Sequence, residues 1–207
     1  MKTLLSKIFC LCCAMSITMC FTGCMNDNNE YPSRITNFVV VETDASGILS
    51  RVTLDNGESY NIASQSIDFG KPDTLFRCVA SYAMVNSGMK VHNISNIYSN
   101  PPIPLDTFLE GGYTEESLPR DPVKVVSVFK SGGYINMQLG VMTTGNSAHA
   151  YAFCEEADGQ YSLLHQRPVN DLETYTMTVF LSMPIPEGVE TVTFSIPTYE
   201  GTYIRTF

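Results

Sequence analysis

Apolar and polar residues alternate with a period of two along most of this chain, and no segment keeps the 3.6-residue period of an amphipathic helix. Ile35–Val41 is apolar and β-branched and stops at the turn Glu42–Gly47. Ile48–Leu54 alternates, and Asp55-Asn56-Gly57 is a strong hairpin signal into Glu58–Ile62. A polar connector ends at Gly70-Lys71-Pro72-Asp73 and is followed by strand signals over Thr74–Met84 and Met89–Tyr98. Pro101, Pro102 and Pro104 then break regular structure. Short strands wound without helices predict a small barrel or sandwich over residues 34–110.

Leu105–Pro122 combines Gly111-Gly112, clustered acids and two prolines with few apolar anchors, and reads as a linker. Strand signals resume at Val123–Lys130. Ser131-Gly132-Gly133 turns the chain into Tyr134–Met142, where Ile135, Met137, Leu139 and Val141 form one apolar face. Ala148–Cys154 and Tyr161–Gln166 flank a hairpin loop, Glu155–Gly159. Tyr175, Met177, Val179 and Leu181 alternate within Thr174–Ser182, and Glu190–Ile196 and Tyr203–Phe207 complete the series. About six antiparallel strands predict a β-sandwich over residues 121–207.

The first residues have a different pattern. Lys2 and Lys7 precede an apolar run from Ile8 to Phe21, and Thr22-Gly23 leads into Cys24. The run is short for a transmembrane span of ~20 apolar residues. Residues 1–23 therefore read as a secretory signal whose removal exposes Cys24 for acylation. Cys24 is preferred to Cys20 because Gly23 is small enough for the peptidase pocket and Met19 is not. An ordinary cleaved signal or an uncleaved anchor is the alternative. Acyl chains contribute ~0.8 kcal/mol per buried methylene, so several chains attach the protein durably to a membrane. Residues 24–33, polar, acidic and asparagine-rich, read as a flexible tether.

Removing Lys2 and Lys7 leaves ten basic against 21 acidic side chains, a net charge near −11. That charge is repelled by nucleic acid, so no nucleic-acid partner is expected, and it attracts basic ones. Beyond Cys24 the thiols are Cys78 and Cys154, each in an apolar strand-like segment. They read as buried free thiols, with a disulfide joining the two halves as the other reading.

Catalytic chemistry finds little support. His92, His149 and His165 are scattered singly, without the spacing of a metal site. Glu155, Glu156 and Asp158 read as a solvated turn, and Glu115 and Glu116 as linker charge. No Gly-x-Ser-x-Gly elbow occurs, and neither glycine pair opens a phosphate-binding helix. No cofactor, metal or enzymatic activity is expected. Eleven tyrosines and no tryptophan suit either a sugar-stacking platform or ordinary core packing. Asp73-Thr74-Leu75 resembles the O-glycosylation acceptor of exported Bacteroidota proteins, with Thr74 as the modified residue.

Cys24 with its acidic tether, the first strand Ile35–Val41 and the Leu54-Asp55-Asn56-Gly57 hairpin assemble into a familiar layout. A proline-bearing crossover and the strand Tyr134-Ile135-Asn136-Met137 complete it. The whole resembles the NigD-like lipoproteins of Bacteroidota. The resemblance implies an N-terminal OB-like barrel, a C-terminal β-sandwich and a role in immunity to a bacteriocin, with no functional motif to transfer. The expectation is an all-β, non-catalytic envelope lipoprotein, anchored through Cys24 at the outer membrane, that binds a basic peptide or protein. A glycan-binding or glycan-processing accessory lipoprotein and a structural envelope component are the alternatives. Cys24→Ser should release the protein from membranes or leave an unprocessed precursor, as read by fractionation and immunoblotting. Normal processing with retention on membranes would overturn the lipoprotein assignment.

Overall fold

The computed structural model describes residues 34–63, 65–145 and 148–207. The signal, the tether and Cys24 lie outside them. Five strands form the first sheet: β1 Ile35–Thr43, β2 Leu49–Leu54, β3 Ser59–Asn61, β4 Leu75–Val85 and β5 Gly88–Asn96. Their order is β3-β2-β1-β4-β5, all antiparallel. The sheet curls until its edges meet, through a parallel bridge between Ile62 and Met89. Alongside it, the Gln65 side-chain amide both donates to and accepts from the main chain of Val91, at 2.8 Å each way. A Cβ on Gly88 would lie 2.5 Å from the Asn61 carbonyl oxygen, so this approach requires glycine at a φ of +129°. The result is the OB-like barrel expected from the resemblance. Val39, Val41, Val52, Cys78, Tyr82 and Met89 fill it.

The second half is a sandwich. One sheet contains β7 Lys124–Ser131, β8 Tyr134–Thr143 and β11 Tyr175–Pro184, in the order β11-β8-β7. The other contains β6 Ile103–Pro104, β9 Ala150–Ala157, β10 Gln160–Gln166, β12 Thr193–Thr198 and β13 Gly201–Thr206, in the order β13-β12-β10-β9-β6. Ile135, Met137, Leu139, Phe153, Leu163 and Phe194 meet between them, each with no exposed surface. The antiparallel order expected for the sandwich is interrupted twice. β10 pairs with β12, and β6 with β9, in parallel. Both pairings join strands that are not consecutive hairpin partners, which hydrophobic alternation cannot register.

Three further expectations are corrected. The segment read as a linker carries a short helix, α1 Leu105–Glu110, and a 3₁₀ turn Glu115–Ser117 closed by reciprocal Thr114–Ser117 capping bonds. Leu105, Phe108 and the buried Leu118 pack there on Cys154 and Leu164, so the segment is anchored to the outer face of the five-stranded sheet. The loop expected at Glu155–Gly159 shrinks to Asp158-Gly159, because β9 runs on to Ala157. Finally, β8 is not one-sided. Its second face, with Asn136 fully buried, is covered by the barrel.

That covering rests on Arg77, which is 6% exposed. Its guanidinium donates to both carboxylate oxygens of Asp55, at 2.6 and 2.9 Å, to Asn136 Oδ1 at 2.8 Å and to Ser182 Oγ at 3.1 Å. It also lies 4.0 Å from the centre of the Tyr134 ring. Asp55 and Arg77 belong to the barrel, whereas Tyr134, Asn136 and Ser182 belong to the three-stranded sheet. Gly132 completes the fit, since a Cβ there would stand 2.6 Å from the Asp55 carboxyl carbon. Phe38 seals the margin against Phe129 and Phe180, edge to face at 5.7 and 5.8 Å. Both cysteines are free and buried in separate clusters. Burial pushes the Cys78 thiol up to about 12 and the Cys154 thiol up to about 11. Removing the cation leaves the Asp55 carboxylate desolvated and short of donors. Arg77→Met should therefore lower stability by about 3–5 kcal/mol in urea unfolding, whereas a loss below about 1 kcal/mol, typical of exposed pairs, would show that the network adds only packing.

Candidate functional site

An open cleft of about 720 Å³ lies between the three-stranded sheet and the β12–β13 hairpin. Gly140 and Thr176 lie on its floor. A Cβ at position 140 would stand 2.8 Å from Thr176 Cγ2, so glycine keeps that floor open. Tyr199 and Tyr203 wall the cleft, and Lys124, Glu200 and Thr202 carry its polar groups. This volume falls in the usual range of ligand pockets.

Exposed apolar residues are concentrated in the last third of the chain, and Tyr199 among them lines the cleft. Val169 and Leu172 in the β10–β11 loop, Tyr175 and Met177 on β11, Tyr199 in the hairpin turn and Ile204 on β13 make up half of the exposed large apolar side chains among the described residues. The face predicted for β11 is thus buried only in its second half, where Val179 and Leu181 join the core. A second groove, of about 570 Å³, follows the seam between barrel and sandwich and is lined by Phe38, Phe129, Phe180, Asn37, Asn56 and Gln138.

Beneath the cleft's loop lies a buried cluster that sequence spacing did not bring together. His149 Nδ1 is 2.8 Å from His165 Nε2, and the two rings are nearly parallel at 7°. His149 Nε2 is 2.9 Å from Asp171 Oδ2, and His165 Nδ1 is 2.9 Å from the Asp121 carbonyl oxygen. Asp171 also accepts from the Thr143 hydroxyl at 2.6 Å, the Thr144 amide at 2.6 Å and the Thr144 hydroxyl. These donors, Thr143 first, hold the Asp171 carboxyl well below the usual carboxylate range. Burial holds His165 below the usual histidine value, opposed by its bond to the Asp121 carbonyl. Tyr151 stacks on His165 at 5.1 Å, and burial pushes its phenol up to about 12. Every ring nitrogen of the pair faces a protein atom, so neither histidine presents a nitrogen to a substrate.

The remaining site expectations fall apart from one another. His92 is exposed on β5, far in sequence and in sheet from the other two. Glu115 and Glu116 are exposed on the 3₁₀ turn, and Glu156 pairs with Arg120 at 2.7 Å. Thr74 precedes β4, half-buried, with its hydroxyl donating to the Pro72 carbonyl at 2.8 Å. The histidine pair did leave a trace in the sequence, because 149 and 165 are near mirror positions about the β9–β10 turn, where Ala150 pairs with Gln166. Asp171, Asp55 and Arg77 left none.

No protein-family model and no curated protein matches the chain. Solved structures do. A NigD-like immunity protein from Bacteroides caccae superposes with a TM-score of 0.63 at 24% identity, covering 86% of this chain and 93% of the other. A protein from Parabacteroides distasonis, provisionally named toxin-related, gives 0.67 at 16% identity over 84% and 92%. One from Bacteroides fragilis, provisionally named a lipoprotein, gives 0.57 at 11% identity over 85% and 96%. Barrel, crossover and sandwich are therefore shared nearly end to end, and the chain has the fold of a NigD-like protein.

Proposed function

We propose that the protein is a non-catalytic, lipid-anchored envelope protein that captures a basic polypeptide at the cleft of its sandwich, in an immunity-like role. The observation that carries this reading is the cleft itself, walled by Tyr199 and Tyr203, in a part of the chain that also exposes Val169, Leu172, Tyr175 and Met177. Apolar anchors ringed by charge are the usual composition of a protein-binding surface. Glu173 and Glu200 border it, and the net charge near −11 draws cations in over distance. The names of the solved relatives from Bacteroides caccae and Parabacteroides distasonis, immunity and toxin-related, agree with it. The tyrosine walls and threonine-rich lining favour a second reading, a glycan-binding accessory lipoprotein.

Salt separates the two. A lysine- and arginine-rich peptide should bind at low ionic strength and weaken as salt rises, because exposed charges are screened beyond ~8 Å at physiological ionic strength. Tyr199→Ala should weaken it by about 2 kcal/mol, the loss of an interface anchor, as measured by calorimetry at two salt concentrations. Binding of neutral oligosaccharides that ignores salt, with no peptide binding at low salt, would replace this reading with the glycan one.

A further inference from the structure

The two imidazoles have four ring nitrogens and three contacts to satisfy. The Asp121 carbonyl can only accept, so His165 Nδ1 must carry a proton. Asp171 accepts from two threonine hydroxyls and an amide, and the Thr143 hydroxyl itself accepts from the Gly145 amide at 2.9 Å, which directs its own proton to the carboxylate. Asp171 is therefore ionised, and His149 Nε2 must carry a proton toward it. The contact between His149 Nδ1 and His165 Nε2 needs one proton and has room for only one. Three protons on four nitrogens satisfy every contact. The pair then holds one positive charge, balanced by Asp171, with His149 2% and Asp171 0% exposed at their side chains.

We infer that His149, His165 and Asp171 form a proton-counting clamp that holds the Arg167–Thr174 loop, and through it the Tyr199 wall of the cleft, only while the two imidazoles share three protons. A fourth proton sets two N–H groups against each other at a 2.8 Å contact. Loss of one leaves a lone pair facing the carboxylate or the other ring. The cluster opens in either direction. The loop follows because Asp171 anchors its middle, between the Arg167 amide on Asp121 at 2.6 Å and the Thr174 hydroxyl on the Thr143 carbonyl at 2.9 Å, and the wall follows because Tyr199 donates to Glu173 at 3.3 Å while Glu173 pairs with Arg167. This deepens the cleft reading and rests on it for its consequence, though not for the clamp itself.

The groups around the pair leave His165 as the acid trigger. The loop contributes Arg167, Asp171 and Glu173, and the segment before β7 contributes Arg120 and Asp121. The Arg120 charge is spent on Glu156. β8 and the residue after it contribute only the Thr143 and Thr144 hydroxyls, β9 the Tyr151 phenol, and the hairpin Tyr199. Burial disfavours a charge on His165, so on acidification the unfolded or opened chain takes up that proton before the closed one does. Closed-state stability thus falls as pH drops below the ordinary histidine value. The Asp171 contribution persists to much lower pH because its folded value is depressed.

Hydrogen–deuterium exchange on the full-length protein in detergent micelles tests the clamp. Between pH 7.5 and pH 5, opening of residues 167–174, corrected for the intrinsic rate, should rise on the order of tenfold per pH unit once the fourth proton is taken up. His165→Gln keeps an acceptor toward His149 but cannot be charged, and should flatten that rise. Unchanged protection in the wild type at pH 5, or an equal rise in the variant, overturns the clamp. If the variant does not fold, imidazole nitrogen spectra of the wild type decide. Three protonated ring nitrogens shared by His149 and His165 at neutral pH support the clamp, and two or four overturn it. Calorimetry with the lysine- and arginine-rich peptide at pH 7.5 and 5.5 addresses the cleft separately. Affinity that falls as the loop opens supports the coupling, and equal affinity at both pH values with an open loop overturns it. An opening loop with no peptide binding at any pH retains the clamp and removes the cleft reading.

Discussion

A buried cation sets the relation between the two halves of this molecule. Arg77 projects from the barrel into a socket whose walls come from both sides, with the Asp55 carboxylate behind it and Asn136, Ser182 and the Tyr134 ring in front. A guanidinium removed from water is tolerated only where its donors are met, and its planar fork fixes the direction of each partner. Asn136 accepts from Arg77 and from Ser182 while donating toward Asp55 at 3.3 Å, so the network closes on itself. Apolar contact alone would let a barrel slide over a sheet. The Arg77 network specifies one register, and Phe38, Phe129 and Phe180 then exclude water from its margin.

The second buried charge pair has the opposite character. Arg77 is a permanent cation, whereas the His149–His165 contact, at 2.8 Å between two ring nitrogens, requires a shared proton. In the clamp inferred above, one network welds and the other responds. Their positions fit that division. The permanent ion lies between two sheets that must stay together, while the histidine pair lies under a loop that carries Val169 and Leu172 into solvent and meets Tyr199 of the cleft through Glu173.

Among the described residues, most of the His and Cys side chains that the sequence singled out as capable of acid, base or nucleophilic chemistry are turned inward. His149 and His165 are consumed by internal contacts, His92 stands alone and exposed on β5, and the cysteines are buried in apolar clusters where the neutral thiol is favoured. At the cleft, Tyr199, Thr202, Glu200 and Lys124 reach solvent.

Period-two alternation located nearly every strand, because a strand with one face in a core writes that face into its sequence. The Asp55-Asn56-Gly57 and Ser131-Gly132-Gly133 turns were equally legible, since positive φ selects glycine. The alternation on β8 revealed the Ile135–Val141 face but not the burial of Asn136, for a polar residue reads as solvent-facing until a second body covers it. The α1 crossover was illegible for a related reason: six residues are too few to display a helical period, and Leu105, Phe108 and Leu118 become anchors only through the sheet beneath them. Charge and strands follow from local pattern. Arg77 meeting Asn136 across 59 residues and His149 meeting Asp171 across 22 depend on strand order and parallel crossovers, where pairing is chosen by the burial of the whole chain rather than by any segment of it.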